Sequence, residues 1–293
     1  MKNWMLAIRP KTLFASLAPV VLGLAVAYVE TQTLNGLIAV LTILCALVLQ
    51  IASNLANDYL DALRGVDNET RLGPTRVTSS GLISLTSMKN ALILALAVAF
   101  ALGIYLMFVG GPFIMVIGLL SLYFAYGYTG GPFPLSYNGL GEVAAFIFFG
   151  VIAVVGTTYL QTHSVSRLAL ILGMGPGFIS ACILAVNNLR DIVSDTDTNK
   201  RTLAVRFGEK FQRYLCISTI LLSITVCIYV MVAYQFKWLL PVIILPFFFH
   251  KTWLQILYHP IDAKLNTALA RTAQYNLLYC VSVSAGMILS YKL

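Results

Sequence analysis

The chain has 293 residues, 59% of them hydrophobic and only 10% charged, with a net charge of +8. Soluble domains carry about 25% charged and roughly 45–50% apolar residues, so an ordinary soluble class is excluded. Nucleic acid is excluded as the reason for the positive balance, because the basic residues lie in short stretches between apolar runs, as membrane proteins arrange them.

Residues 1–11 carry Lys2, Trp4, Arg9 and Lys11, and Pro10 interrupts any continuous helix there. The first apolar run then reaches Val29. Its Ala25-Val26-Ala27 imitates a signal-cleavage site, but many apolar runs follow and the basic N-terminus suits a cytosolic anchor, so the segment is read as a retained span. Span 2 runs from about Leu37 into an acidic stretch, and residues 62–88 form a polar loop with Arg64, Arg71 and Arg76. Spans 3 and 4, about 89–109 and 113–128, meet at the tight turn Gly110-Gly111-Pro112. Residues 129–141 make a Gly/Pro loop with no charge. Span 5 covers about 142–161, and span 6 about 168–190, which runs into a second acidic stretch. After a basic, polar segment at 196–213, spans 7, 8 and 9 cover about 214–234, 238–257 and 272–291.

Nine spans predict an all-α, multi-pass membrane protein with its termini on opposite sides. The N-terminus and the loops after spans 2, 4, 6 and 8 hold 16 of the 19 basic residues; the other side holds Arg167, Lys237 and Lys292. By the positive-inside bias the first side is cytosolic. The five cysteines lie in or beside apolar runs without a C-x-x-C pair, which predicts buried thiols rather than a disulfide framework or zinc site.

Two acidic stretches stand out in so uncharged a chain. The first is Asn54-Leu-Ala-Asn57-Asp58-Tyr-Leu-Asp61, with Asp67 beyond it; the second is Asn187-Asn188-Leu-Arg190-Asp191 with Asp195, Asp197 and then Lys200-Arg201. Asn57-x3-Asp61 is echoed by Asn187-x3-Asp191, with Asn54-x3-Asp58 as a rival register. The echo, four spans apart and on one side, predicts two similar halves, about 1–128 and 129–293, within one membrane domain spanning 1–293. Residues three and four apart share a helical face, so Asn54, Asn57, Asp58 and Asp61 group together, as do Asn187, Asp191 and Asp195.

Crowded carboxylates near a membrane repel one another unless a cation joins them. Hard oxygen ligands suit Mg²⁺, which commonly bridges carboxylates to phosphates. The amides of Asn54, Asn57 and Asn187 are candidate donors to phosphate oxygens, and Arg71, Arg76, Lys200 and Arg201 are candidates for a diphosphate clamp. Asp195-x-Asp197-x-Asn199 begins like a calcium loop, but Lys200 stands where that loop needs glycine. His163, His250 and His259 pair with no carboxylate at ligand spacing and are given no role.

Taken together, Asn57-Asp58-x2-Asp61-x5-Asp67 and Asn187-x3-Asp191-x3-Asp195 resemble the two aspartate-rich motifs of the UbiA superfamily of intramembrane aromatic prenyltransferases. Arg9-Pro10-Lys11-Thr12, Arg71-Leu-Gly-Pro74-x-Arg76, Gly139-Leu-Gly141-Glu142 and the run from Lys200 to Arg206 resemble the branch whose acceptor is 1,4-dihydroxy-2-naphthoate. The hydroxybenzoate branch carries Tyr-x3-Lys near the end of span 4, whereas Tyr126-x3-Gly130 stands here.

The resemblance implies nine helices around a central cavity open to lipid, capped by the loops after spans 2 and 6. It implies Mg²⁺ held by Asp58, Asp61, Asp67, Asp191 and Asp195, with Asp61 and Asp191 central to catalysis, and a polyprenyl diphosphate donor. Tyr126, Tyr128, Lys11 and Glu142 are candidates for the pocket around the acceptor and the allylic cation; anchoring is the alternative for Lys11, and capping of helix 5 for Glu142. Two rival readings remain at this stage. One is a prenyltransferase for another aromatic acceptor, such as 4-hydroxybenzoate or homogentisate. The other is a secondary transporter, which also shows repeated halves and intramembrane acids.

Overall fold

The computed structural model of the chain describes residues 2–65, 72–74 and 76–292. All regular structure among them is helical. A short α1 (Lys2–Ile8) precedes α2 (Pro10–Thr31), and the break between them falls where Arg9 turns left-handed (φ 53°) ahead of Pro10. Proline suits the first helical position, since its missing N–H would have had no partner there. Next come α3 (Gly36–Arg64) and α4 (Leu85–Gly127), started by Asn35 and Ser84, whose side chains accept from the N–H groups of Ile38 and Ser87.

At 43 residues α4 is far too long for one crossing: about 1.5 Å per residue would carry it through twice the roughly 30 Å hydrocarbon core. It breaks at Gly111 (φ 65°), immediately before Pro112. Met88 and Ala125, near its two ends, pack in one cluster with Leu55 and Leu60 of α3, so the helix folds back on itself at the glycine.

Beyond the 129–140 loop, α5 (Gly141–Phe146) passes through a π-helical stretch at Ile147–Ile152 into α6 (Ala153–Thr162). There the backbone lies close against α7 (Arg167–Arg190): a Cβ on Gly150 would stand 2.3 Å from the Gly177 Cα. Small residues let membrane helices approach in this way. The chain continues through α8 (Ile192–Asp197), α9 (Leu203–Ala233), α10 (Leu240–Ile244), α11 (His250–Tyr258) and α12 (Leu265–Lys292). The last helix starts earlier than the expected 272, and Arg271 within it places its guanidinium 5.8 Å from the Phe249 ring centroid.

Seven segments among the described residues are long and apolar enough to cross a membrane. Their apolar faces point outward as well as inward: Phe108 is 86% exposed and Phe248 76%. An outward apolar belt of this kind suits lipid, and the chain is an integral membrane protein. The main core packs α2, α7, α9 and α12 through residues such as Leu22, Leu172, Leu189, Ile220 and Met287. The cysteines are free, and all but Cys45 are buried.

Loop contacts sort the bundle into two ends. At one, Asn35 binds Gln161, Ser166 donates to Glu30, and the Trp238 N–H donates to Ser290. At the other, the segments around residues 8–12, 64–65, 72–74, 76–84, 128–142, 190–202 and 256–266 are tied to one another, and both acidic stretches fall there.

Candidate active site

Each acid in the first stretch sits on the last turns of α3, where the apolar helix meets the polar loop. Asp58, only 1% exposed, accepts the Thr78 N–H at 3.0 Å and lies 3.9 Å from the Arg9 guanidinium. Asp61, 3% exposed, accepts from Arg76 Nη2 at 2.8 Å. Asn57 accepts a short hydrogen bond from Thr129, and Arg64 donates to the Thr129 carbonyl at 2.6 Å. Asn54 faces elsewhere: its Nδ2 donates to the Ile8 carbonyl at 2.8 Å and to Thr12 Oγ1 at 2.9 Å, fastening the N-terminal segment to α3.

The second stretch closes α7 and forms α8. Arg190 donates through Nε and Nη2 to the two oxygens of Asp191, at 2.7 and 2.5 Å. The same guanidinium reaches Asn187 Oδ1 at 2.9 Å and Asn266 Oδ1 at 2.6 Å. Asn266 in turn donates to the Leu72 carbonyl at 2.8 Å, so it links the end of α7 to the loop after α3. Asp195 is buried, with Lys200 Nζ 3.8 Å from Oδ1.

Two side chains bring the stretches into a common field. Burial acts to lower the Lys200 pKa, but Asp61, Asp195, Tyr137 and Asp191 act against it and the net shift is upward. The ammonium thus feels carboxylates of both motifs. The Tyr128 phenol is raised first by burial, then by Glu142, Asp195 and Asp61. Tyr137 adds a further bridge: the Arg64 guanidinium lies 4.7 Å and the Lys200 ammonium 5.2 Å from its ring centroid. Its carbonyl accepts the Arg201 N–H at 3.1 Å. Neither Tyr137 nor Asn266 carries a motif that could have marked it; both lie in segments without a ligand-like spacing.

Of the other candidates, Lys11 and the Arg201 side chain are exposed. Tyr126 lies over Gly130, where a Cβ would meet its ring at 2.7 Å and Leu60 at 2.9 Å. The position that carries lysine in the hydroxybenzoate branch therefore has no room for a side chain without movement of Tyr126. Glu142 does not cap α5. Its Oε1 accepts from Asn188 Nδ2 and Gln212 Nε2, both at 2.9 Å. Asp67 and Arg71 lie outside the described residues.

Among the described residues no three His, Cys, Asp or Glu side chains gather closely enough to hold an ion alone. The donor set still fits Mg²⁺. Asp58, Asp61, Asp191 and Asp195 offer buried, hard carboxylate oxygens, and Mg²⁺ typically takes one or two carboxylates, keeps waters and completes its shell with substrate phosphates.

Long apolar helices that gather buried acids and bases at one end define an integral membrane protein with a polar site at one end of its bundle. Residues 16–278 match the UbiA prenyltransferase family, and the chain belongs to it. A 1,4-dihydroxy-2-naphthoate octaprenyltransferase of Haemophilus influenzae is 36% identical over 99% of this chain and 96% of its own length. The Bacillus subtilis protein of the same description is 31% identical, over 98% and 92%. A UbiA homolog from Archaeoglobus fulgidus, solved bound to DMAPP and Mg²⁺, shares the fold with a TM-score of 0.72 at 15% identity, over 98% of this chain and 99% of that one.

Proposed function

We propose that this chain is a Mg²⁺-dependent prenyltransferase that moves a polyprenyl group from polyprenyl diphosphate to 1,4-dihydroxy-2-naphthoate. Carbon dioxide and diphosphate leave, and the product is demethylmenaquinone in its hydroquinone form. The observation that carries this reading is the link through Asn266, which joins Arg190 of the second motif to the Leu72 carbonyl in the loop after the first, so that both acidic stretches meet at one end of the bundle. Family membership and relatives described as acting on that acceptor support it.

In this reading Asp58, Asp61, Asp191 and Asp195 hold the metal, together with Asp67. When bound, Mg²⁺ supplies charge neutralisation on the departing diphosphate. Arg76, Lys200 and Arg201, with Arg71, hold the diphosphate oxygens; Asn57 and Asn187 orient them. Asn54 serves this end indirectly, by anchoring the segment that carries Arg9 and Lys11. The ion pairs Arg76–Asp61 and Lys200–Asp195 keep the buried acids neutralised before substrate arrives, since an unpaired buried charge is costly. Tyr126 and Tyr128 face the developing allylic cation, which an aromatic face stabilises by about 0.5–2 kcal/mol.

Counting the two arms of α4 and adding α12 gives nine spans around a central cavity that opens to the bilayer, arranged as halves 1–128 and 129–293. The site lies at the cytosolic face, where most of the basic residues fall, and the C-terminus on the opposite side. A hydrophobic donor tail remains in lipid while its diphosphate meets the polar end.

The test is an acceptor panel in proteoliposomes. Prenylation of the naphthoate that requires Mg²⁺ supports the reading. Preference for 4-hydroxybenzoate or homogentisate overturns the choice of acceptor.

A further inference from the structure

The Glu142 carboxylate is 5% exposed and is used on one oxygen only. Oε1 takes both hydrogen bonds, from Asn188 and Gln212. Among the described residues Oε2 is buried without a hydrogen-bond partner, and so is Gln212 Oε1 in the same network. Leaving a buried polar atom unsatisfied is costly, and more so for a charged group. Two bare acceptors in one network leave a place for a donor. A substrate hydroxyl is the kind of group that fills it.

The place of Glu142 in the fold points to the same substrate. Its partner Asn188 lies on the last turn of α7, three residues before Asp191, where that helix ends. Tyr128 packs beside the start of α5: a Cβ on Gly141 would stand 2.9 Å from the Tyr128 hydroxyl. Glu142 is therefore hydrogen-bonded to the last turn of α7, which leads into the second motif, and its chain neighbour Gly141 packs against the Tyr128 hydroxyl. The Gly130 position, where the hydroxybenzoate branch has a lysine, offers no group for proton transfer.

We propose that Glu142 is the catalytic base of the prenyl transfer, accepting the proton of the acceptor's aromatic hydroxyl on Oε2. The assignment rests on the function proposed above. As the ring carbon that bears the carboxylate bonds to the allylic carbon, the C–O bond to diphosphate breaks and its electron pair leaves with the diphosphate. The hydroxyl proton passes to Oε2, and the O–H electron pair becomes a ring carbonyl. Loss of carbon dioxide from the same ring carbon returns an electron pair to the ring. The carbonyl oxygen then recovers the proton, and the Glu142 carboxylate is restored. No further reactant is consumed.

Asn188 and Gln212 are positioning residues in this scheme: by taking Oε1 they turn Oε2 toward the substrate. Glutamine at 142 keeps an oxygen for both donors and removes only the base.

The experiment measures turnover of the full chain in proteoliposomes with Mg²⁺, polyprenyl diphosphate and the naphthoate. Wild-type protein that fails on this acceptor overturns the underlying reading before any variant is made. Given wild-type turnover, Glu142→Gln should lower kcat by about 10²–10⁴-fold, the usual share of general base catalysis. KM for donor and acceptor should stay within about twofold, the signature of an interaction made in the transition state. Glu142→Asp, which keeps the charge but draws it back by one methylene, should recover part of kcat and guards against a glutamine variant that does not fold. A kcat for Glu142→Gln near wild type, a rise in KM with kcat unchanged, or an aspartate variant with full kcat would overturn the assignment.

Discussion

Arg190 grips Asp191, its neighbour in the chain, by a two-pronged ion pair closed at 2.7 and 2.5 Å. Adjacent residues rarely face each other on a helix, and here the pair forms because α7 ends between them and Asp191 has left helical geometry (φ −93°, ψ 8°). The remaining guanidinium donors reach Asn187 and Asn266, so one arginine organises the second motif and ties it to α12.

Removing that arginine leaves a buried carboxylate without its counter-charge. Arg190→Ala should therefore cost about 3–5 kcal/mol of stability, the usual penalty for breaking a buried pair on one side. Arg190→Lys keeps the charge but loses the planar fork and should fall between. Thermal unfolding in detergent reads both, and an alanine variant as stable as wild type would contradict the pairing.

Asp61 and Asp191 should behave as parts of one device although 130 residues separate them. Either alanine variant should lose at least about a hundredfold in kcat/KM, as removal of a group that stabilises transition-state charge does. The double variant should be little worse than the singles, because members of a working unit are not additive. Membrane insertion, followed by fractionation, should be normal in all three. Additive losses would mean that the two acids act at separate places.

Lys200 titrates above the ordinary lysine value, since the surrounding acids outweigh burial. A folded-state pKa raised above the unfolded one gives stability that is fully present below the unfolded value and is lost as pH rises through the folded one. The difference in melting temperature between wild type and Lys200→Gln should stay constant from about pH 7 to pH 10 and shrink only above the unfolded lysine value of about 10.4. A difference that fades nearer neutrality would contradict the sign of the shift.

Gly150 tests the packing that supports the site. An alanine Cβ would stand 2.3 Å from the Gly177 Cα and 2.6 Å from the Gly173 carbonyl, both backbone atoms. Overpacking of this kind typically costs about 1–3 kcal/mol, so Gly150→Ala should melt earlier and turn over less. An unchanged melting temperature would show that the two helices separate freely.

The apolar runs, the break at Pro10 and the reversal at Gly111 could be read from residue order, because each depends on local chemistry. So could the grouping of the acidic stretches at one end, since loop charge follows from alternation of spans. Asn54 could not. Helical spacing puts it on the face of Asp58, but spacing says nothing about which neighbour covers that face, and Ile8 and Thr12 do. Asn266 and Tyr137 were equally hidden. They are neutral residues in weakly marked segments, and they matter only because folding brings Leu72, Arg64 and Lys200 to them. The early start of α12 was masked by Lys264, Asn266 and Arg271, which look like loop residues until the Phe249 ring is seen beside the last of them.

The most direct measurement of the central claim is product formation by the purified protein in lipid vesicles supplied with polyprenyl diphosphate and either 1,4-dihydroxy-2-naphthoate or 4-hydroxybenzoate, with and without Mg²⁺. Prenylated naphthohydroquinone in the presence of Mg²⁺, and none once the metal is chelated, is the predicted result. Prenylated hydroxybenzoate in its place, or equal yield of the naphthoate product after chelation, would contradict the account.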